Sequence, residues 1–223
     1  MIPAKLRYSV RKLFENSGFE EFQNNRKSGV LNVRALPTMA HNDRLFKRRK
    51  EHDGIDSAVT IVLDVSGSMF RPAKPLDSKM YHAILATYAL LDTLSKAGVA
   101  TSVVTFGCEV SLLKDFNVPY QRVRPMLERL QSGGGTQDFT ALSYAHGLLL
   151  NRQEERKVCF FLTDGIGNAD ACREQALSGE NLGITTIGVG IRSDVTHIYK
   201  NAVTIEKLED MGTVAFDKLK LAV

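Results

Sequence analysis

Ala58-Val59-Thr60-Ile61-Val62-Leu63-Asp64-Val65-Ser66-Gly67-Ser68-Met69 decides how the rest of this 223-residue chain is read. Its first half is an unbroken apolar run rich in β-branched residues, the pattern of a strand buried on both faces. Its second half sets an aspartate and two serines at alternate positions on the turn leaving that strand. Three oxygen-bearing side chains then surround one small space. Hard cations are held in this way: magnesium takes oxygen ligands in near-octahedral geometry at roughly 2.0–2.1 Å and gives up water reluctantly, so a few hydroxyls and carboxylates on a rigid turn suffice.

Working outward, buried-strand runs and helical periods alternate. A loop with Pro72 and Pro75 leads to residues 79–96, where Met80, Ile84, Leu85, Tyr88, Leu91 and Leu94 recur at helical spacing up to Gly98. Residues 101–106 read as a strand and 109–116 as its hairpin partner across Gly107 and Cys108. The spacing predicts a helix over 118–130 with Pro119 in its first turn, a glycine-rich loop at 133–138, and a helix over 140–150. A second apolar strand at 156–162 runs into Thr163-Asp164-Gly165. A helix from 170 to 177, a strand at 184–189 and a closing strand and helix between 203 and 221 complete the series. Apolar strands separated by helices imply an α/β architecture: a Rossmann-like, doubly wound, mostly parallel sheet with helices on both faces. Residues 56–223 form this domain, and 1–55 an N-terminal helical and basic extension packed on it. Within the extension, Leu6, Val10, Leu13 and Phe14 predict a short amphipathic helix over 5–15, and Val30, Leu31, Val33 and Leu36 fit a strand or a helical turn.

Ligands of doubly wound sheets bind outside the carboxyl ends of the strands, where the strand order reverses. Strands 58–65 and 157–162 are expected as the central neighbours at that point. They end in Asp64 and Asp164, and the Gly133-Gly134-Gly135-Thr136 loop precedes the helix that feeds the second. Five small oxygen donors therefore converge: Asp64, Ser66, Ser68, Thr136 and Asp164. Any one alone has an ordinary explanation as a helix cap or a turn residue. Their conjunction, in this order and each at an element end, points to a metal site.

The composition narrows the classes. The hydrophobic content of 43% supports a real core. Cys108, Cys159 and Cys172 form no CxxC pair, which suits a reduced, cytoplasmic chain. No apolar run approaches the ~20 residues of a membrane span, and the first residues lack the pattern of a signal peptide. The net charge of +4 is uneven: residues 1–53 hold 12 Lys/Arg against 6 Asp/Glu, the remainder 17 against 19. The densest part, Arg44-Leu45-Phe46-Lys47-Arg48-Arg49-Lys50, fits a solvated basic loop, a phosphate contact or an acidic protein surface equally. His82 and His146 fall on expected helices without a histidine four residues on, so they read as packed or surface residues. Cys159, inside a strand, reads as a small apolar side chain.

With these residues in place, the chain resembles the von Willebrand factor A domain, whose metal-ion-dependent adhesion site follows the pattern DxSxS, then Thr, then Asp. Asp64, Ser66, Ser68, Thr136 and Asp164 match all five positions, and the resemblance spans about residues 58–221. It implies that the hydroxyls contact the metal directly, the aspartates directly or through water. A second likeness covers nearly the whole chain. The run Ser193-Asp194-Val195-Thr196-His197-Ile198-Tyr199-Lys200-Asn201-Ala202-Val203-Thr204-Ile205, the stretch Leu208-Glu209-Asp210-Met211-Gly212 and the segment Ala141-Leu142-Ser143-Tyr144-Ala145-His146 are similar to the A domain of the aerobic cobaltochelatase large subunit. So is the N-terminal basic helix with Leu45-Phe46-Lys47-Arg48-Arg49. That subunit works with a hexameric AAA+ ATPase, so the likeness implies a remodelling partner rather than chemistry in this chain.

The expected function is accordingly a non-catalytic module that binds Mg2+, with Mn2+ or Ca2+ as other candidates, and docks an acidic residue of a protein partner. The implied partner is an AAA+ ATPase of the chelatase or MoxR type. One alternative is a metal-dependent phosphatase or phosphotransferase with Asp64 as nucleophile. It lacks the second acid two residues on, where Ser66 stands, and no lysine is evident to neutralise a phosphoryl group beside Thr136. A nucleic-acid-binding role through the basic segment and Lys5, Arg7, Arg11 and Lys12 is the other, although Phe46 alone offers little for base stacking. Neither GxGxxG after the first strand nor GxxxxGK[ST] is present, so dinucleotide binding and a P-loop are excluded.

Overall fold

The structure is a computed structural model that describes residues 56–70, 78–165 and 167–205, together with the backbone of three short strands nearer the N-terminus. Those strands, β1 (Phe22–Arg26), β2 (Val30–Leu31) and β3 (Phe46–Arg49), form an antiparallel sheet in the order β1-β3-β2. Part of the basic run that fits a solvated loop is therefore strand, with Phe46 and Arg49 both paired to β1. Of the two options at Val30 and Leu31, strand is the one adopted. The helix expected over 5–15, the packing of the extension, the Pro72–Pro75 loop and the closing helix lie outside the described residues.

The main sheet has six strands in the order β6-β5-β4-β7-β8-β9. They are β4 (Ser57–Asp64), β5 (Ala100–Phe106), β6 (Val110–Lys114), β7 (Arg156–Thr163), β8 (Ile184–Ile191) and β9 (Asn201–Ile205). All neighbours are parallel except β5 and β6, the expected hairpin. Helices α1 (Lys79–Lys96), α2 (Arg124–Glu128), α3 (Asp138–Leu150) and α4 (Ala169–Asn181) supply the connections. From β4 the chain crosses through α1 to β5 on one side, and it returns at β7 on the other side of β4. The reversal of strand order thus falls between β4 and β7, as the sequence predicts.

The period-2 pattern of β4 explains why it sits at the centre. Val59, Ile61 and Leu63 face a core shared with α1 and α2, whereas Ala58 and Val62 face a second core beneath α3 and α4. Every residue of β4 is buried. Full burial of each large aliphatic side chain is worth about 1.5–3 kcal/mol, so the strand is fixed in register from both sides. On the second face, Phe161 bridges Phe106 and Tyr199, with ring centroids 5.1 and 5.6 Å away.

One expected helix is broken. The stretch 118–130 forms a 3-10 turn at Tyr120–Arg122 and then the short α2, which starts one residue before Pro125. A continuous helix would place Pro125 in its interior, where the ring clashes with the preceding turn and an N–H is missing, so the helix restarts with proline in its first turn. Helix α3 begins two residues earlier than expected, at Asp138, and α4 runs four residues longer, to Asn181.

Candidate functional site

The carboxyl end of β4 is held by backbone bonds before any side chain acts. Val65 N–H donates to Phe106 C=O (2.8 Å), Gly133 N–H to Val65 C=O (2.9 Å) and Gly67 N–H to Gly134 C=O (3.2 Å). The DxSxS turn and the glycine-rich loop are thereby stitched together. Met69, fully buried at the end of the 3-10 turn Gly67–Met69, pins the turn to the core. Gly134 has φ +79°, and a Cβ there would lie 2.0 Å from Cys108 Sγ. Only glycine allows both that backbone and that approach.

Asp64 is fully buried, and both of its oxygens accept hydrogen bonds. Ser66 N–H donates to Oδ1 (2.8 Å) and Thr163 Oγ1 to Oδ2 (2.8 Å). Gly165 N–H donates in turn to Thr163 Oγ1 (3.2 Å), which commits the threonine proton to Asp64. The bonds suit an ionised carboxylate. Burial nevertheless raises the Asp64 pKa, opposed by its bonds to Ser66 and Thr163 and reinforced by the negative charge of Asp164.

Ser66 Oγ and Ser68 Oγ lie 3.0 Å apart. Asp164, 2% exposed, accepts from Lys79 Nζ through Oδ2 (3.0 Å), while its Oδ1 is buried without a hydrogen-bond partner. Such an orphaned acceptor is rare in folded proteins and calls for a donor or a cation. The structure therefore brings Asp64, Ser66, Ser68 and Asp164 together. Thr136 is half-buried in the adjoining loop, carried there by the backbone bonds of Gly133 and Gly134.

Three contributors escape the sequence reading. Thr163 orients Asp64, and Lys79 neutralises part of Asp164. Asp138 ties two site loops, accepting from Asn168 N–H through Oδ2 (2.7 Å) and from Phe139 N–H through Oδ1 (2.8 Å). Thr163 and Asp138 each lie within two residues of a predicted ligand, which is the signal that was available. Lys79 lies 85 residues from Asp164, and only the fold joins them.

The donor set fits a hard divalent cation: two hydroxyls, two carboxylates and a nearby threonine, with one carboxylate oxygen unsatisfied. Among the described residues no cluster of three or more His, Cys, Asp or Glu side chains exists, so a softer, nitrogen- or sulfur-rich centre is not offered. A cavity of about 540 Å³ is lined by Phe70, Glu128, Arg129, Leu130, Gln131 and Ser132, and by none of the five candidate residues. Phe70, directly after the 3-10 turn, is 67% exposed. No described helix is long and apolar enough to cross a membrane.

Solved structures with this fold include an aerotolerance-related membrane protein from Bacteroides fragilis, 16% identical, with a TM-score of 0.62 over 75% of this chain and 100% of that one. The manganese-loaded TRAP protein of Plasmodium vivax is 16% identical, with a TM-score of 0.58 over 74% of this chain and 72% of that one. A von Willebrand factor type A structure from Catenulispora acidiphila is 20% identical, with a TM-score of 0.55 over 79% and 43%. Residues 59–166 match the family model of the von Willebrand factor type A domain. The sheet order, the strand-end aspartates and this match agree that the chain carries a von Willebrand factor type A domain.

Proposed function

We propose that this domain is a non-catalytic, Mg2+-dependent interaction module whose metal is held by Asp64, Ser66, Ser68, Thr136 and Asp164 and completed by an acidic residue of a protein partner. The observation that carries the reading is the buried, unpartnered Asp164 Oδ1 at the end of β7, the strand paired with β4, whose own end leads to Asp64 and two hydroxyls 3.0 Å apart. Two hydroxyls and two carboxylates are hard oxygen donors of the kind that Mg2+ takes, with Mn2+ or Ca2+ as other candidates. The manganese carried by the TRAP structure supports a divalent ion in this fold.

When bound, the cation supplies an electrophilic centre for a carboxylate. The chain's own residues leave it that character, because two of the donors are neutral hydroxyls and Asp64 is spent on Ser66 N–H and Thr163. The same occupancy argues against the phosphotransferase alternative. A nucleophilic aspartate needs a free oxygen facing substrate, and Asp64 is fully buried with both oxygens bonded.

The resemblance to the cobaltochelatase subunit favours an AAA+ ATPase of the chelatase or MoxR type. The unpaired thiols Cys108, Cys159 and Cys172 fit a cytoplasmic setting. Magnesium titration into metal-free wild type and Asp64→Ala, followed by calorimetry, tests the site: wild type binds and the variant does not. Equal binding by both proteins defeats the proposal. Capture of the ATPase by wild type in magnesium, but not by Asp64→Ala, tests the partner.

A further inference from the structure

We infer that Lys79 is a resident cation of the metal site that sets its divalent affinity, holding Asp164 when the metal is absent and competing with the metal for it. The inference rests on the metal-site reading above and concerns how that site is regulated. Lys79 Nζ lies 3.0 Å from Asp164 Oδ2, and the Asp164 side chain is fully buried whereas that of Lys79 is 31% exposed. The lysine therefore reaches in from solvent to a carboxylate that cannot move out to it.

Its place in the chain points the same way. Ser78 caps α1, its side chain accepting from Tyr81 N–H (3.0 Å), so Lys79 is the first helical residue. A helix N-terminus favours negative charge, and α1 has no acidic residue in its first turn. A cation at that position has the wrong sign for its own helix and the right sign for Asp164. With Lys79 in place, two carboxylates and one ammonium leave the site a net charge of about −1. Without it, the charge is about −2, which attracts a divalent ion more strongly. Lys79 also keeps Asp164 from being a buried charge with neither oxygen satisfied, so it stabilises the metal-free fold.

Two opposite effects of one substitution follow. Lys79→Met binds Mn2+ about tenfold more tightly than wild type, the effect of removing one positive charge a few ångströms from a divalent ion under water-like screening. In the same variant the melting temperature without metal falls by several degrees and is restored by Mn2+. Lys79→Gln, which keeps most of the packing, moves both quantities in the same directions, and Lys79→Arg returns them to wild type. Free Mn2+ is read by electron paramagnetic resonance, and melting by circular dichroism, with Asp64→Ala as the control for the site itself. Tighter Mn2+ binding by Lys79→Met or Lys79→Gln, absent in Asp64→Ala, sustains the inference. If wild type binds Mn2+ and both lysine variants bind it equally or more weakly, the inference is overturned while the metal site stands. If none of the proteins binds Mn2+ at millimolar concentration, the metal-site reading falls and the inference with it.

Discussion

Acidification tests the packing behind the site through His146. This residue on α3 is 2% exposed, with Nε2 3.0 Å from Thr186 Oγ1 of β8 and Nδ1 3.2 Å from Gln175 Nε2 of α4. The Gln175 amide nitrogen only donates, so Nδ1 accepts and Nε2 carries the proton toward Thr186. The ring also fills the space left by Gly179, where a Cβ would lie 2.4 Å from Cε1. Burial pushes the imidazole pKa down from 6.5 to about 4. The unfolded chain takes up this proton near pH 6.5 and the folded chain only near pH 4. Between these values the unfolded state holds more protons, so stability falls as pH falls; above pH 6.5 the contribution is complete.

At about 1.36 kcal/mol per pH unit, the whole interval is worth about 3 kcal/mol, a sizeable part of the ~5–15 kcal/mol typical of a domain. Guanidinium unfolding of wild type and His146→Gln at pH 7 and pH 4.5 isolates the effect, because carboxylates common to both cancel in the difference. Wild type is expected to lose about 2–3 kcal/mol more than the variant across that range. Equal losses, or an imidazole that titrates near pH 6.5 in the folded protein by NMR, refute the reasoning.

The other expectations concern the loops that carry the site. Thr163→Val removes the proton donor to Asp64 Oδ2 and should weaken divalent binding by about 10–100-fold while the fold stays intact, as measured by calorimetry and circular dichroism. Gly134→Ala should destabilise by about 1–3 kcal/mol in denaturant titrations, from positive φ and the Cys108 sulfur together. Combining it with Cys108→Ala should recover only the steric part. Asp138→Ala leaves the Asn168 and Phe139 N–H groups without their acceptor and should cost about 1–3 kcal/mol, with faster amide exchange at Asn168 as the local readout.

The sheet was legible because its signals are local. Strands β4, β5 and β7 are each an apolar run that ends at a glycine or an aspartate, and both faces are buried, so pattern and packing demand the same register. The placement of the strand-end candidates was legible for a related reason: Asp64, Ser66 and Ser68 occupy one turn, and doubly wound topology fixes which other loops meet it. The helix expected over 118–130 failed where hydrophobic spacing and proline chemistry disagree, and at Pro125 proline prevailed. Lys79 escaped because nothing local distinguishes it. A basic residue at a helix start reads as an ordinary solvated charge until the fold sets Asp164 3.0 Å away.

The energetics of the strand ends argue for function independently of any motif. A buried carboxylate is expensive unless each oxygen finds a donor or a cation. At Asp64 the fold meets that demand with a backbone N–H and a threonine, itself oriented by Gly165. At Asp164 it meets only half, leaving one oxygen to Lys79 and the other to nothing. Asparagine or leucine at 164 would remove the unmet charge, and a core indifferent to ligands gains from that change. The sequence instead retains two aspartates on adjacent parallel strands, at the point where strand order reverses. Residual destabilisation of this kind is tolerated where something else supplies the missing charge. The hydroxyls of Ser66 and Ser68 add neutral donors without adding repulsion. On the proposed reading, Asp64 is a fixed brace, whereas Asp164 is the exchangeable end of the site, passed between the Lys79 ammonium and an external cation.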